Sequence, residues 1–274
     1  MPELPEVETI RVGLEPKLVS RTFERVKIFD PRLTRPYDPL EVAAELQGER
    51  IAGLERRGKY LVVRFESGRV LLVHLRMTGG FLHARGGLGP DDPYRRAVVR
   101  LDDGSDVAYR DVRRFGTWQL LEPGELEPYL DSRVGEELLG RRLFTKSVQP
   151  LLSRRRAPIK AVLLDQRLFP GVGNIYADEA LWWARIHPLR QADGLDLAEI
   201  KRLLQGVRRS LRHGIDRQGA TLRDYRDADG SSGSMQHEFR VYGRAGEPCF
   251  RCGTPIEKTR AGGRGTWFCP NCQQ

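Results

Sequence analysis

Apolar residues near the start of the chain recur at helical spacing. Val7, Ile10, Leu14 and Leu18 step by three or four, the repeat of an amphipathic helix. Pro5 suits a first helical position, and Glu6 and Glu8 complement the positive helix end. Pro16 is expected to kink or shorten this helix. From about residue 24 to residue 121 the pattern changes to short β-rich runs: Arg25–Phe29, Tyr60–Phe65, Val70–Leu75, Ala97–Leu101, Val107–Tyr109 and Thr117–Leu121. Turn signals such as Ser67-Gly68 and Asp103-Gly104 separate them, so the first half is expected to be antiparallel β with the helix packed on it. From about residue 135 to residue 214 the period returns to helical. Leu197, Ile200, Leu204, Val207 and Leu211 form one face, while Lys201, Arg202, Arg208 and Arg209 occupy others. The boundary is expected in the Pro-, Gly- and Glu-rich stretch from Glu122 to Pro128 or just after it. A polar segment between Arg217 and Glu238 is too hydrophilic for core, and a loop of that length is either disordered or functional.

Length and charge narrow the class. The 274 residues suffice for two domains with a real core. No apolar run approaches the roughly 20 residues of a membrane helix, and no charged-then-apolar leader is apparent, so a soluble, cytoplasmic protein without a membrane partner is expected. A net charge of +9 suggests a polyanionic partner, although a well-solvated basic surface is the plain alternative. Of the 46 basic residues 39 are Arg and seven are Lys, which singles out Lys59 and Lys160, because lysine can lose its proton and arginine cannot.

Four side-chain groupings could carry chemistry. All four cysteines lie near the end, as Cys249-x2-Cys252 and Cys269-x2-Cys272 with 16 residues between the pairs. That spacing suits one structural Zn2+ held by four thiolates; two disulfides are the alternative, typical of secreted chains. At the other end, removal of Met1 from Met1-Pro2-Glu3-Leu4-Pro5-Glu6 would expose a secondary amine beside two carboxylates. A free α-amine titrates near pH 8, so part of it is an unprotonated nucleophile at neutral pH. A capped helix start explains the same residues, and the two readings are compatible. Gly171-Val172-Gly173-Asn174-Ile175-Tyr176 leads into a helix on which Ile175, Trp182 and Ile186 would share a face; its glycines and free N–H groups suit a phosphate or simply a helix entry. Arg110 to Gly116 joins basic groups to Phe115, and Met77 sits in a turn-like stretch. Such apolar wedges flanked by arginine can part stacked bases, or the two can be core residues at strand ends. Arg154-Arg155-Arg156 reads equally as a solvated basic run.

Taken in order, the Met1–Thr9 stretch, Lys59-Tyr60-Leu61, His74 to Gly79, Asp111 to Gly116, Val172 to Ala177 and the cysteine hooks closely resemble bacterial formamidopyrimidine-DNA glycosylase, also called MutM, essentially end to end. The resemblance implies an α+β fold: an N-terminal antiparallel β-sandwich with a flanking helix (1–133), a helix-two-turn-helix domain (134–237) with a lesion-capping loop (217–237), and a zinc-binding β-hairpin (238–274). It implies a monomer acting on double-stranded DNA that contains oxidised purines or abasic sites. Mature Pro2 would form a Schiff base with the damaged nucleotide's sugar. Glu3 would donate a proton to the opening sugar and Glu6 would support the site. Lys59 would donate in β-elimination and Arg264 in δ-elimination. Met77, Arg113 and Phe115 would be the inserted triad, and Tyr94, Arg113, Arg156 and Asn174 would contact DNA.

Three positions depart from the family pattern. Arg76 stands where Gly is expected, Val112 where Pro commonly precedes the paired arginines, and Tyr94 where His is frequent. None removes a catalytic group. The alternatives are an endonuclease VIII-like relative that excises oxidised pyrimidines, and a non-catalytic zinc-ribbon DNA-binding protein, which leaves Pro2-Glu3 unexplained.

Overall fold

Helix α1 (Leu4–Leu18) buries Val7, Ile10, Leu14 and Leu18 completely or nearly so, as their spacing requires. In the computed structural model, which describes residues 1–89, 91–139 and 145–274, α1 runs through Pro16 to Leu18. The helix is therefore not cut short there. The amide hydrogen that Pro16 lacks would have gone to the carbonyl of Val12, a residue 51% exposed, where water can replace it.

The first unit comprises residues 1–132 and 218–234. Its strands are β1 (Phe23–Ile28), β2 (Ile51–Arg57), β3 (Tyr60–Phe65), β4 (Val70–His74), β5 (Gly79–Ala84), β6 (Arg95–Leu101), β7 (Asp106–Asp111) and β8 (Thr117–Leu121), with helices α2 (Pro39–Leu46) and α3 (Leu126–Asp131). They build two four-stranded antiparallel sheets, β1-β6-β7-β5 and β2-β3-β4-β8. One core fills the space between them, from Ile10 and Leu14 of α1 through Leu61, Val73, Val99 and Tyr109 to Trp118.

The pattern of apolar runs misses β2 and β5, and both are sheet edges. An edge strand is covered on one side only, so it tolerates the Gly53 and the arginines of β2 and the paired Gly79-Gly80 of β5.

The polar segment 217–237, which chain order groups with the helical part, contributes residues 218–234 to the first unit. Ala228 is fully buried, and an added Cβ on Gly13 of α1 would come 3.4 Å from its methyl. His83 N–H donates to the Ala228 carbonyl at 2.9 Å, and Lys17 pairs with Asp229. The neck is closed by Gly233 N–H donating to Thr221 Oγ1 at 3.0 Å. The segment is thus an ordered loop docked on α1 and β5 rather than a disordered linker.

The second unit, residues 133–217 and 235–274, holds α4 (Thr145–Leu152), α5 (Ile159–Leu163), α6 (Asn174–Ala184), α7 (Leu197–Asp216) and the hairpin β9 (Glu257–Ala261) and β10 (Arg264–Phe268). The helical expectation over residues 140–144 lies outside the described residues. Helix α7 begins with an Asp196/Glu199 capping box and buries Ile200, Leu204, Val207 and Leu211, the face read from its period. Helix α6 stops at Ala184, with Arg185 in the left-handed conformation. Ile186 therefore leaves the helix face and folds back, its N–H bonded to the Leu181 carbonyl at 3.1 Å.

The two helices meet at glycine. An added Cβ on Gly206 of α7 would lie 2.4 Å from the Ala180 carbonyl oxygen of α6. Gly206→Ala should therefore destabilise the protein by about 1–3 kcal/mol through overpacking, although alanine is the better helix former by about 1 kcal/mol. An unchanged or raised urea midpoint would contradict this close approach.

Candidate active site

The start of the chain is folded into the protein. Pro2 is buried, and Glu3 and Glu6 are each 2% exposed. The two glutamates form a capping box at the α1 N-terminus. Glu6 Oε2 accepts the Glu3 N–H at 2.7 Å, and Oε1 accepts the Ala220 N–H at 2.8 Å. A buried carboxylate needs such donors. An added Cβ on Gly219 would fall 2.8 Å from Glu6 Cγ, so the left-handed glycine at the root of the docked loop allows this close contact. Tyr225 lies close by: burial and the Glu6 charge push its phenol above the usual range.

Lys59 occupies the β2–β3 turn and is 6% exposed. That turn is held from α1. Glu8 pairs with Arg56 at 2.9 Å, and Arg56 also donates to the Gly58 carbonyl at 3.0 Å. Burial pushes the Glu8 carboxyl up, but Arg11 and Arg56 outweigh it and hold it below the usual range. Next to Lys59, Tyr60 at the start of β3 lies opposite His74 with the rings 4.6 Å apart. Burial, helped by Arg76 and Lys59, pushes the His74 imidazole down to about 3, so it is neutral and its Nδ1 accepts the Arg76 N–H at 3.0 Å.

The positions that depart from the family pattern have local explanations in two cases. Arg76 has φ +53°, a conformation that costs a residue with a side chain about 1–2 kcal/mol, which is why glycine is the expected occupant. Tyr94, 39% exposed, has the Arg110 guanidinium 4.8 Å from its ring centroid. Nothing in the structure explains Val112.

Met77 and Phe115 line one open groove of about 610 Å³ together with Met1, Arg32, Arg35, Arg76 and Arg114. Phe115 is 50% exposed, and the Arg113 guanidinium lies 4.8 Å from its centroid. These two are not core residues. No local pattern marks Asp30, whose buried carboxylate holds Arg114 through bonds of 2.6 and 2.9 Å.

In the second unit Asn174 opens α6, and its side-chain amide donates to the Gly265 carbonyl at 3.1 Å. The fully buried Lys160 donates to the same carbonyl at 2.9 Å and pairs with Asp178 at 2.7 Å. Burial pushes the Asp178 carboxyl up to about 7 in spite of Lys160. Arg264, next to Gly265 in β10, is exposed. Arg156 is exposed and 4.0 Å from Asp193. Sequence reasoning missed Glu179, a buried carboxylate that accepts the N–H groups of Arg240, Val241 and Tyr242 at 2.9–3.0 Å. Only its place, with Asp178, among the apolar residues of α6 could have marked it.

The sulfurs of Cys249, Cys252, Cys269 and Cys272 all lie within 4.8 Å of one another. Four thiolates about 2.3 Å from a tetrahedral zinc stand about 3.8 Å apart, so the cluster fits one ion with no position left for substrate. Trp182 Nε1 points to Cys249 Sγ at 3.4 Å, and the Cys272 N–H points to Cys269 Sγ at 3.4 Å, as thiolate ligands require. Zinc here would hold β9 and β10 and the chain around them. Elemental analysis should find one zinc per chain, released when a mercurial modifies the four thiols, with a change in Trp182 fluorescence. Zinc-free protein with unaltered fluorescence would contradict a metal-held hairpin.

Residues 1–118 match the formamidopyrimidine-DNA glycosylase N-terminal domain, residues 134–226 the formamidopyrimidine-DNA glycosylase H2TH domain, and residues 246–274 the zinc finger found in FPG and IleRS. The chain is 46% identical over its whole length to formamidopyrimidine-DNA glycosylase of Symbiobacterium thermophilum, covering 89% of that protein. It is 43% identical to that of Herpetosiphon aurantiacus, with both chains fully covered. The structure superposes on a Lactococcus lactis FPG mutant bound to Fapy-dG DNA with a TM-score of 0.93, 38% identity and full coverage of both chains. On wild-type Lactococcus lactis FPG bound to DNA with an oxidised pyrimidine the TM-score is 0.91, at 37% identity and full coverage. Among the described residues no helix is long and apolar enough to cross a membrane. The chain belongs to the formamidopyrimidine-DNA glycosylase family of DNA-repair enzymes.

Proposed function

We propose that this chain is a bifunctional DNA glycosylase and abasic-site lyase that removes oxidised purines, 8-oxoguanine and formamidopyrimidines, from duplex DNA. The observation that carries the reading is the placement of the chain start. Met1, 47% exposed, leads from the buried Pro2-Glu3 pair into the groove that holds Met77 and Phe115. Loss of Met1 turns the Pro2 nitrogen from an amide without an available lone pair into a secondary amine beside Glu3 and Glu6.

The chemistry follows from that nitrogen. Its lone pair attacks C1′ of the damaged nucleotide, the glycosidic bond electrons leave with the base, and the proton that the amine sheds on becoming bonded to C1′ goes to the departing base. Glu3 gives a proton to the sugar ring oxygen, so the ring opens to an iminium ion. Glu6, bonded to the Glu3 N–H, holds the dipeptide at the helix start. Proton transfer by Lys59 then drives β-elimination of the 3′ phosphate. Arg264 assists δ-elimination of the 5′ phosphate.

Extruding the base leaves a gap, and Met77, Arg113 and Phe115 fill it. Tyr94, Arg156 and Asn174 contact the DNA, the loop 217–237 covers the extruded base, and the chain acts as a monomer. A catalytic sandwich (1–133), a helix-two-turn-helix part (134–237) and a zinc hairpin (238–274) divide this work.

The test uses paired duplexes, 8-oxoguanine opposite cytosine and thymine glycol opposite adenine, because a Lactococcus relative has been seen with both Fapy-dG and oxidised-pyrimidine DNA. The oxidised purine should be excised at least about tenfold faster and leave a gap flanked by two phosphates, and Lys59→Ala should slow strand cleavage by about 10²-fold or more. Preference for thymine glycol would favour the endonuclease VIII-like reading. Binding without excision of either would favour a zinc-ribbon binder.

A further inference from the structure

We propose that Tyr109 and Asp111 are positioning residues that lock the Met77 turn and the Arg113–Phe115 loop into one rigid platform. This rests on the reading of Met77, Arg113 and Phe115 as the residues that fill the gap left by an extruded base. Tyr109 and Asp111 stand two apart on β7, so they point to the same face. Both are buried, at 0% and 1% exposure.

One carboxylate serves both segments. Asp111 Oδ1 accepts the Thr78 hydroxyl, the neighbour of Met77, at 2.5 Å and the Arg113 N–H at 3.2 Å. Its Oδ2 accepts the Gly116 N–H, next to Phe115, at 2.7 Å. Thr78 Oγ1 in turn accepts the Arg113 N–H at 2.9 Å, so the turn and the loop are bonded directly as well as through Asp111. Each end has its own fastening: Gly79 N–H to the Leu75 carbonyl at 2.9 Å, and Arg114 to Asp30.

The Tyr109 ring completes the platform by packing. Its hydroxyl is buried and has no hydrogen-bond partner among the described residues. An added Cβ on Gly116 would lie 1.9 Å from that oxygen, and one on Gly79 2.3 Å from it. The phenol tip therefore fills the space left by two missing side chains, one on the turn and one on the loop. A polar atom is kept there without a partner, which argues for a role in shape rather than in bonding. If Met77 and Phe115 moved independently, each would have to be ordered as DNA binds, weakening insertion. Fixed to one strand, they enter the duplex together.

The full-length protein tests this with single-turnover excision of 8-oxoguanine opposite cytosine, and with 2-aminopurine beside the orphaned cytosine to report insertion. Thermal melting identifies variants that fail to fold. Gly116→Ala should lower excision by about 10²-fold, the scale expected for a misplacement near 1 Å, and suppress the fluorescence change. Combining it with Tyr109→Phe should restore both to within about threefold of Tyr109→Phe alone, because the nearest atoms left are Tyr109 Cζ and Asp111 Oδ2 at 3.0 Å.

Asp111→Asn, which turns one acceptor into a donor, is the second arm. Its loss should be about tenfold greater on 8-oxoguanine than on a preformed abasic site, where no base is extruded. Phe115→Ala tests the underlying reading: unchanged excision and fluorescence there would overturn the wedge itself. If Phe115→Ala is impaired but Gly116→Ala is not, or the double variant is no better than Gly116→Ala, or Asp111→Asn slows both substrates equally, the platform is overturned and the wedge stands.

Discussion

Burying a carboxylate without donors costs several kcal/mol, and this protein uses that cost to fix its working segments. Glu6 is the clearest case. Its two oxygens take the N–H groups of Glu3 and Ala220, so the chain start and a residue more than two hundred positions later must come together before the charge is satisfied. The same solution recurs wherever a loop has to be held. Asp111 gathers Arg113, Gly116 and Thr78; Glu179 gathers three consecutive N–H groups at residues 240–242; Asp178 takes the Trp267 N–H and pairs with Lys160. Glu6, Asp111 and Glu179 each stand on a regular element and collect donors from an irregular one, whereas Asp178 on α6 ties helix α5 to strand β10. The apolar cores of the two units supply stability, and these carboxylates supply position.

That division explains what could be read from the sequence. Helix α1, helix α7 and the inner strands announce themselves by period, because burial of one face demands it. The zinc ligands and the Pro2-Glu3 pair are visible because the chemistry is local in sequence. Of the four edge strands, β1 and β8 still carry a legible apolar run, whereas β2 and β5 escape notice, since one covered side leaves room for their glycines and charges. The docked loop 218–234 is illegible for a different reason: it is polar by composition, and what orders it is a few distant contacts, Ala228 on Gly13 and Ala220 on Glu6, that no local pattern encodes. Asp111, Asp178 and Glu179 look like ordinary surface charges in the sequence. Only the fold shows them buried.

The departure at Arg76 illustrates the same point from the other direction. A motif position that usually holds glycine reads in the sequence as a possible change in function. The structure reads it as a left-handed turn residue capped by His74, with its conformational cost offset by the fixed geometry around it. The turn keeps its shape, and Met77 keeps its place in the groove.

The central claim is that the buried chain start is the nucleophile, and the most direct measurement is the identity of the atom joined to DNA. Borohydride reduction during turnover of an 8-oxoguanine duplex, followed by digestion and mass spectrometry, should place the sugar remnant on the nitrogen of Pro2. Protein retaining Met1 should give no adduct. A remnant on Lys59, or undiminished trapping with Met1 in place, would contradict the account.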